Sequence, residues 1–306
     1  MKRITLFLLT NLAAVAMLSL VAAVVFSFCG HDISELTGDA GCLPLLGMAF
    51  LTGMAGSLIS LFMSKTMVKT SMKCRTVTGA EGEKERWLVD TVADLANRAG
   101  LKTPEVAIYP GAANAFATGA FKNSALVAVS TDIMTQMSRE ELRAVLGHER
   151  SHVANGDMVT LSLTQGVINT FVIFFAHVIA GVVQGALSGK NDRRRGATAG
   201  YAIYHMVVQL CQLVFGVFAS VVVMWYSRRR EFAADAGSAA LLGSPAPMIS
   251  ALRRLGGLTP GKLPDSMKAF GIAGGKASAI AALFASHPPL EARINALMNL
   301  PPSYAA

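Results

Sequence analysis

The chain has 306 residues, of which 53% are hydrophobic and only 15% charged, with a formal net charge of +8. A soluble domain carries roughly 25% charged residues, and the apolar residues here fall in blocks, which excludes a fully soluble chain. The basic residues sit beside those blocks rather than in a stripe with aromatics, so the pattern argues for a lipid bilayer as partner and against nucleic acid.

Lys2 and Arg3 precede a nearly continuous apolar run over residues 4–28. A cleaved signal peptide has an apolar core of about 7–15 residues; this run is longer, so a retained helix is expected. Further runs cover residues 43–63, about 159–187 and about 202–226, each meeting the roughly 20 residues needed to span hydrocarbon. Residues 1–63 are therefore expected to hold two spans. Residues 64–156 form the first part of a cytoplasmic domain, 157–227 a hairpin of two spans, and 228–306 the second part of the domain.

Charge sets the orientation. The loop 30–41 carries Asp32, Glu35 and Asp39 and no Lys or Arg, so it reads as external. Lys65, Lys69, Lys73 and Arg75 bring the chain back inside. Lys190, Arg193, Arg194 and Arg195 break the rule between the last two runs; a crossing hairpin is still the expected form. Gln165, Asn169, Gln209 and Gln212 are expected to pair those two spans. Cys29 and Cys42 bracket the external loop, either as a disulfide or as two buried thiols.

The chemistry lies in residues 138–152, SREELRAVLGHERSH. Ser138 and Glu141 make a capping box that starts a helix. Residues four apart share a helix face, so His148 and His152 can grip one metal ion, with Glu149 one step round as general base. A catalytic site needs a third protein ligand. Asp157 is the near candidate, though it also reads as ending the helix. Glu231 and Asp235, again four apart, are the far candidates, Glu231 as ligand and Asp235 as the holder of a ligand histidine's other nitrogen. Two solvated acids at a helix start would give the same pattern, so the residues alone leave the third ligand open.

HERSH followed by EFAAD resembles the M48 peptidases, which pair an HExxH with a downstream ExxxD. NAFATG at 114–119, ALVAVST at 125–131 and SHPPLEARI at 286–294 also resemble segments of that family. The resemblance runs nearly end to end. It implies an α+β zincin domain of gluzincin type joined to a four-helix transmembrane region, with Glu231 as third ligand of one Zn2+. It implies proteolysis of misfolded or membrane proteins at the cytoplasmic face of a bacterial inner membrane. His287 and Arg293 are then candidates for stabilising an oxyanion, or for a structural role. Asn114, Ala115 and Phe116 are candidates for holding an extended polypeptide substrate along a strand edge. Residues 256–275, rich in glycine, read as a loop. Two rivals remain: a metal-stabilised membrane binding protein, for which Glu149 would be superfluous, and a transporter, suggested by the intramembrane amides.

Overall fold

The computed structural model describes residues 43–187, 197–257 and 286–301. The run 4–28, Cys29 and Cys42, the basic loop at 190–195 and most of the glycine-rich stretch lie outside the described residues. In chain order the elements are α1 (Leu43–Ser71), β1 (Arg75–Thr76), α2 (Glu83–Arg98), β2 (Glu105–Tyr109), β3 (Ala115–Thr118) and β4 (Leu126–Ser130). They continue with α3 (Thr131–Gln136), α4 (Arg139–Asn155), α5 (Asp157–Leu187), α6 (Ala197–Leu242), α7 (Ala246–Gly257) and α8 (Leu290–Met298). The described fold is mainly helical.

Among the described residues three helices, α1, α5 and α6, are long and apolar enough to cross a membrane. The chain divides into two units, Met1–Ile59 with Ser162–Ser220, and Ser60–Leu161 with Val221–Ala306.

The first unit contains the apolar stretches of the long helices. Ala49 on α1 packs with Phe174 on α5, and Ala176 and Ala180 on α5 pack with Val208 on α6. His177 Nδ1 lies 2.7 Å from the Tyr204 hydroxyl, and Gln184 donates to the Gly200 carbonyl at 3.4 Å. Gln184 thus links the two spans, while the expected pairing through Gln165 is not the bond it makes. Gln165 donates instead to Asn169 on its own helix at 2.8 Å, because a partner one turn away needs no neighbouring helix.

The second unit joins a four-stranded sheet, order β1-β2-β4-β3, to helices. β2 and β4 are parallel, while β1 and β3 run antiparallel to their neighbours. The central strands read EVAIY and LVAVS and are buried on both faces, as apolar runs of this kind must be. α2 buries Leu88, Val92 and Leu95 at helical spacing, α4 buries Leu142, Val145 and Leu146, and both meet Val106, Ile108, Val127 and Val129 of the sheet in one core. Ser138 and Glu141 form the capping box on α4, a device worth about 1 kcal/mol. Gly156, in the left-handed conformation at φ 73°, ends α4. Asp157, which the sequence suggested as the stop, instead opens α5.

α1 continues past Met63 to Ser71 because no Gly or Pro interrupts residues 57–71. Its last turns dock on the sheet through Glu105. Lys65 reaches Glu105 at 2.8 Å, Lys69 pairs with the same carboxylate, and the Thr76 hydroxyl donates to it at 2.8 Å. Burial pushes the Glu105 carboxyl up, but Lys65, Lys69 and Thr76 outweigh it and hold the group at about 2. The sign follows from linkage: a depressed carboxylate contributes stability that is full above the ordinary carboxylate range and fades as pH falls towards about 2. Glu105→Gln should therefore unfold at lower temperature than wild type at neutral pH, and the gap should close on acidification from about pH 4 to 2. A gap independent of pH in thermal melts would refute the clamp.

Candidate metal centre

Two helices carry the residues singled out by the sequence, and small side chains let them approach. A Cβ on Gly147 of α4 would lie 2.9 Å from the Ser238 hydroxyl, and one on Gly237 of α6 would lie 2.5 Å from that of Ser151. Ser238 donates to the Ala144 carbonyl at 2.7 Å, tying α6 to α4. This contact turns the i,i+4 pair His148 and His152 towards the i,i+4 pair Glu231 and Asp235.

His148 Nε2 and His152 Nε2 are 3.1 Å apart. Glu231 places Oε2 3.6 Å from the first and Oε1 3.2 Å from the second. One ligand atom from each of the three residues lies within 4.8 Å of the others, and all three residues are buried. The outer ring nitrogens are occupied: His148 Nδ1 meets Asp235 at 2.9 Å, and His152 Nδ1 meets Asp157 at 2.6 Å. A carboxylate on Nδ1 favours the proton there and turns the Nε2 lone pair inward.

The carboxylates are held in turn. Arg293, fully buried, donates from Nε and Nη2 to Asp235 at 2.8 and 2.7 Å, and its Nη1 lies 3.2 Å from Glu231. Arg230 pairs with the Asp157 carboxylate and donates to the Asp157 carbonyl at 2.6 Å. His287 Nδ1 lies 2.5 Å from Glu231, while its buried Nε2 has no hydrogen-bond partner among the described residues. Glu149 accepts from the Ala117 N–H at 2.9 Å.

Burial drives His148 and His152 down, but Asp235 and Glu231 raise the first, and Asp157 and Glu231 push the second up to about 10. Burial also raises Glu149. The two histidine shifts reflect the carboxylates around them. Four buried carboxylates (Glu149, Asp157, Glu231 and Asp235) and two guanidiniums (Arg230 and Arg293) meet in this cluster. With neutral histidines two negative charges are left, which is the deficit one divalent cation fills. The donor set of two imidazoles and a carboxylate suits such an ion.

The sequence candidates fall in two groups. His148, Glu149, His152, Glu231, Asp235, His287 and Arg293 are brought together. Asn114, Ala115 and Phe116 are buried, and the Phe116 ring packs on Tyr109 at 5.4 Å. The Asn114 carbonyl accepts from Ser130 of β4, whereas the Ala117 N–H points the other way, to Glu149. By strand alternation the backbone of Ala115 and Ala117 points away from β4, and both residues are buried there. Sequence reasoning missed the contact of Asp157 with His152 and overlooked Arg230. A carboxylate five residues after the second histidine, and an Arg next to the candidate ligand Glu231, were the available signals.

Comparison with known proteins agrees with this site. The profile described as Peptidase family M48 matches residues 82–300. A protein named Protease HtpX homolog from Herminiimonas arsenicoxydans is 50% identical over 98% of this chain and 100% of its own length. Another of that name from Verminephrobacter eiseniae is 53% identical over 98% and 99%. The crystal structure of S. mikatae Ste24p superposes with a TM-score of 0.54 at 15% identity, over 93% of this chain and 62% of that one, a likeness of fold. On the matched profile and on full-length relatives at half identity, the chain belongs to peptidase family M48, the metalloproteases with a His-His-Glu site.

Proposed function

We propose that the protein is a zinc-dependent endopeptidase that cuts misfolded or membrane polypeptides at the cytoplasmic face of a bacterial inner membrane. The observation that carries this reading is the convergence of His148, His152 and Glu231, with both histidines backed by carboxylates. His148, His152 and Glu231 would hold zinc. When bound, zinc supplies Lewis-acid polarisation of a peptide carbonyl and a water of lowered pKa.

The chain's own groups do the rest. Glu149, buried and raised in pKa, is suited to take a proton from water and pass it to the leaving amine. Its burial keeps that proton exchange away from bulk solvent. His287 steadies Glu231 through Nδ1; to stabilise a developing oxyanion from Nε2, unpartnered among the described residues, it would need a second ring proton, since Nδ1 already donates to Glu231. Arg293 is bound to Asp235 and Glu231, so it acts by positioning them. The side of β3 that points away from β4 is the candidate for pairing with an extended polypeptide once exposed to it, and the Glu149–Ala117 contact sets that side beside the proposed base. Orientation rests on the basic residues next to the long helices: Lys65 and Lys69 on α1, and Arg228, Arg229 and Arg230 on α6. A metal-binding protein without activity would have no use for Glu149.

In detergent, wild type given zinc should digest an unfolded protein such as casein. Glu149→Gln should bind zinc equally and lose at least about a thousandfold in rate; equal digestion by both would overturn the assignment. Asp157→Asn should weaken zinc binding about 10–100-fold in competition with a chelator. Unchanged affinity would show that the His152 contact is incidental.

A further inference from the structure

A single exposed large apolar side chain is ordinary on a protein surface, so its neighbours decide whether it marks a contact. Among the described residues, such side chains lie on α1, α5 and α6 with two exceptions, Met298 and Phe121. Phe121 is 64% exposed. It sits at the tip of the β3–β4 hairpin, where the Ser124 N–H closes a turn on the Phe121 carbonyl at 3.0 Å. Gly119, at φ 136°, makes that tip possible, because a Cβ there would lie 3.0 Å from the Ala125 Cα. The aromatic ring is thus presented on a defined turn.

Its neighbour tells where the tip points. The Phe121 ring lies 6.0 Å from that of Phe62 on α1. Phe62 is itself 57% exposed and stands three residues before Lys65, the first charged residue after the apolar run of α1. Three residues are about 4.5 Å of helix, so Phe62 lies at the polar end of the apolar run and Phe121 lies beside it. Lys102 and Lys122, both exposed, flank the tip: the Lys102 N–H donates to Asn123 at 3.4 Å, and Lys122 reaches the Ala154 carbonyl. Exposed lysines in the same stretch of surface as an exposed aromatic ring are suited to an anionic bilayer surface.

We propose that the Phe121 tip is a membrane anchor, dipping into the bilayer beside Phe62 with Lys102 and Lys122 on anionic headgroups. Its consequence rests on the reading of the β3 edge given above. The anchored hairpin is the one that carries that edge, so a polypeptide segment leaving the bilayer meets it at the membrane surface. Phe121 is a positioning residue and touches no reacting atom.

Insertion is tested without reference to proteolysis. Phe121→Trp, in a Trp225→Phe background, is placed in nanodiscs of phosphatidylcholine and phosphatidylglycerol whose acyl chains are brominated near the headgroup. The added emission should be blue-shifted and fall by about half relative to unbrominated lipid. Emission of a water-exposed indole, unchanged by bromine, would overturn the anchor and would favour a second protein on this patch. The consequence is tested with Phe121→Asp. Casein digestion should stay within about twofold of wild type, while cleavage of a membrane-inserted substrate in the same nanodiscs should fall about tenfold. Equal loss on both substrates, or none on either, would overturn the positioning role. If wild type digests neither substrate, the protease reading fails while the quenching result still decides the anchor.

Discussion

Two imidazoles and a carboxylate face each other inside the protein, and three further buried carboxylates and two guanidiniums close around them. That charge arrangement constrains everything else. Ionised groups removed from water are tolerated only when paired and hydrogen-bonded, and this cluster pairs its acids with two arginines and leaves a deficit of two. A divalent ion closes it. The arginines also explain why the acids do not collapse onto the metal position: Asp235 is clamped by Arg293, and Asp157 by Arg230. Each acid is thereby aimed at the outer nitrogen of a histidine.

The helices that bring these groups together belong to distant parts of the chain. α4 carries the HExxH face. α6, from Ala197 to Leu242, carries the Glu231/Asp235 face. Close contact between α4 and α6 requires Gly147 and Gly237, opposite Ser238 and Ser151. A larger side chain at either glycine would push ligands apart, and a metal site tolerates little displacement.

Much of this was legible in the sequence because it depends on local spacing. The i,i+4 pairs, the Ser138/Glu141 box and the apolar runs are all short-range signals, and each describes one element. Contacts between elements were less legible. Asp157 lies five residues beyond His152, but it meets the ring only because Gly156 turns the chain between two helices. Arg230 looked like one more basic residue flanking a span, and its pairing with Asp157 depends on how α5 and α6 meet. The amides misled in the opposite way: Gln165 and Asn169 suggested cross-helix pairing, yet they satisfy each other within one helix. Asn114, Ala115 and Phe116 suggested a substrate-holding strand from their pattern alone, and the burial of all three was not legible in it.

The claim at the centre of this account is that His148, His152 and Glu231 surround one zinc ion. X-ray absorption at the zinc edge of the purified protein tests it most directly. The account predicts one zinc per chain with two imidazole shells, nitrogen and oxygen donors at about 2.0–2.2 Å, and no sulfur. A sulfur scatterer, or a single imidazole, would place the metal elsewhere and contradict it.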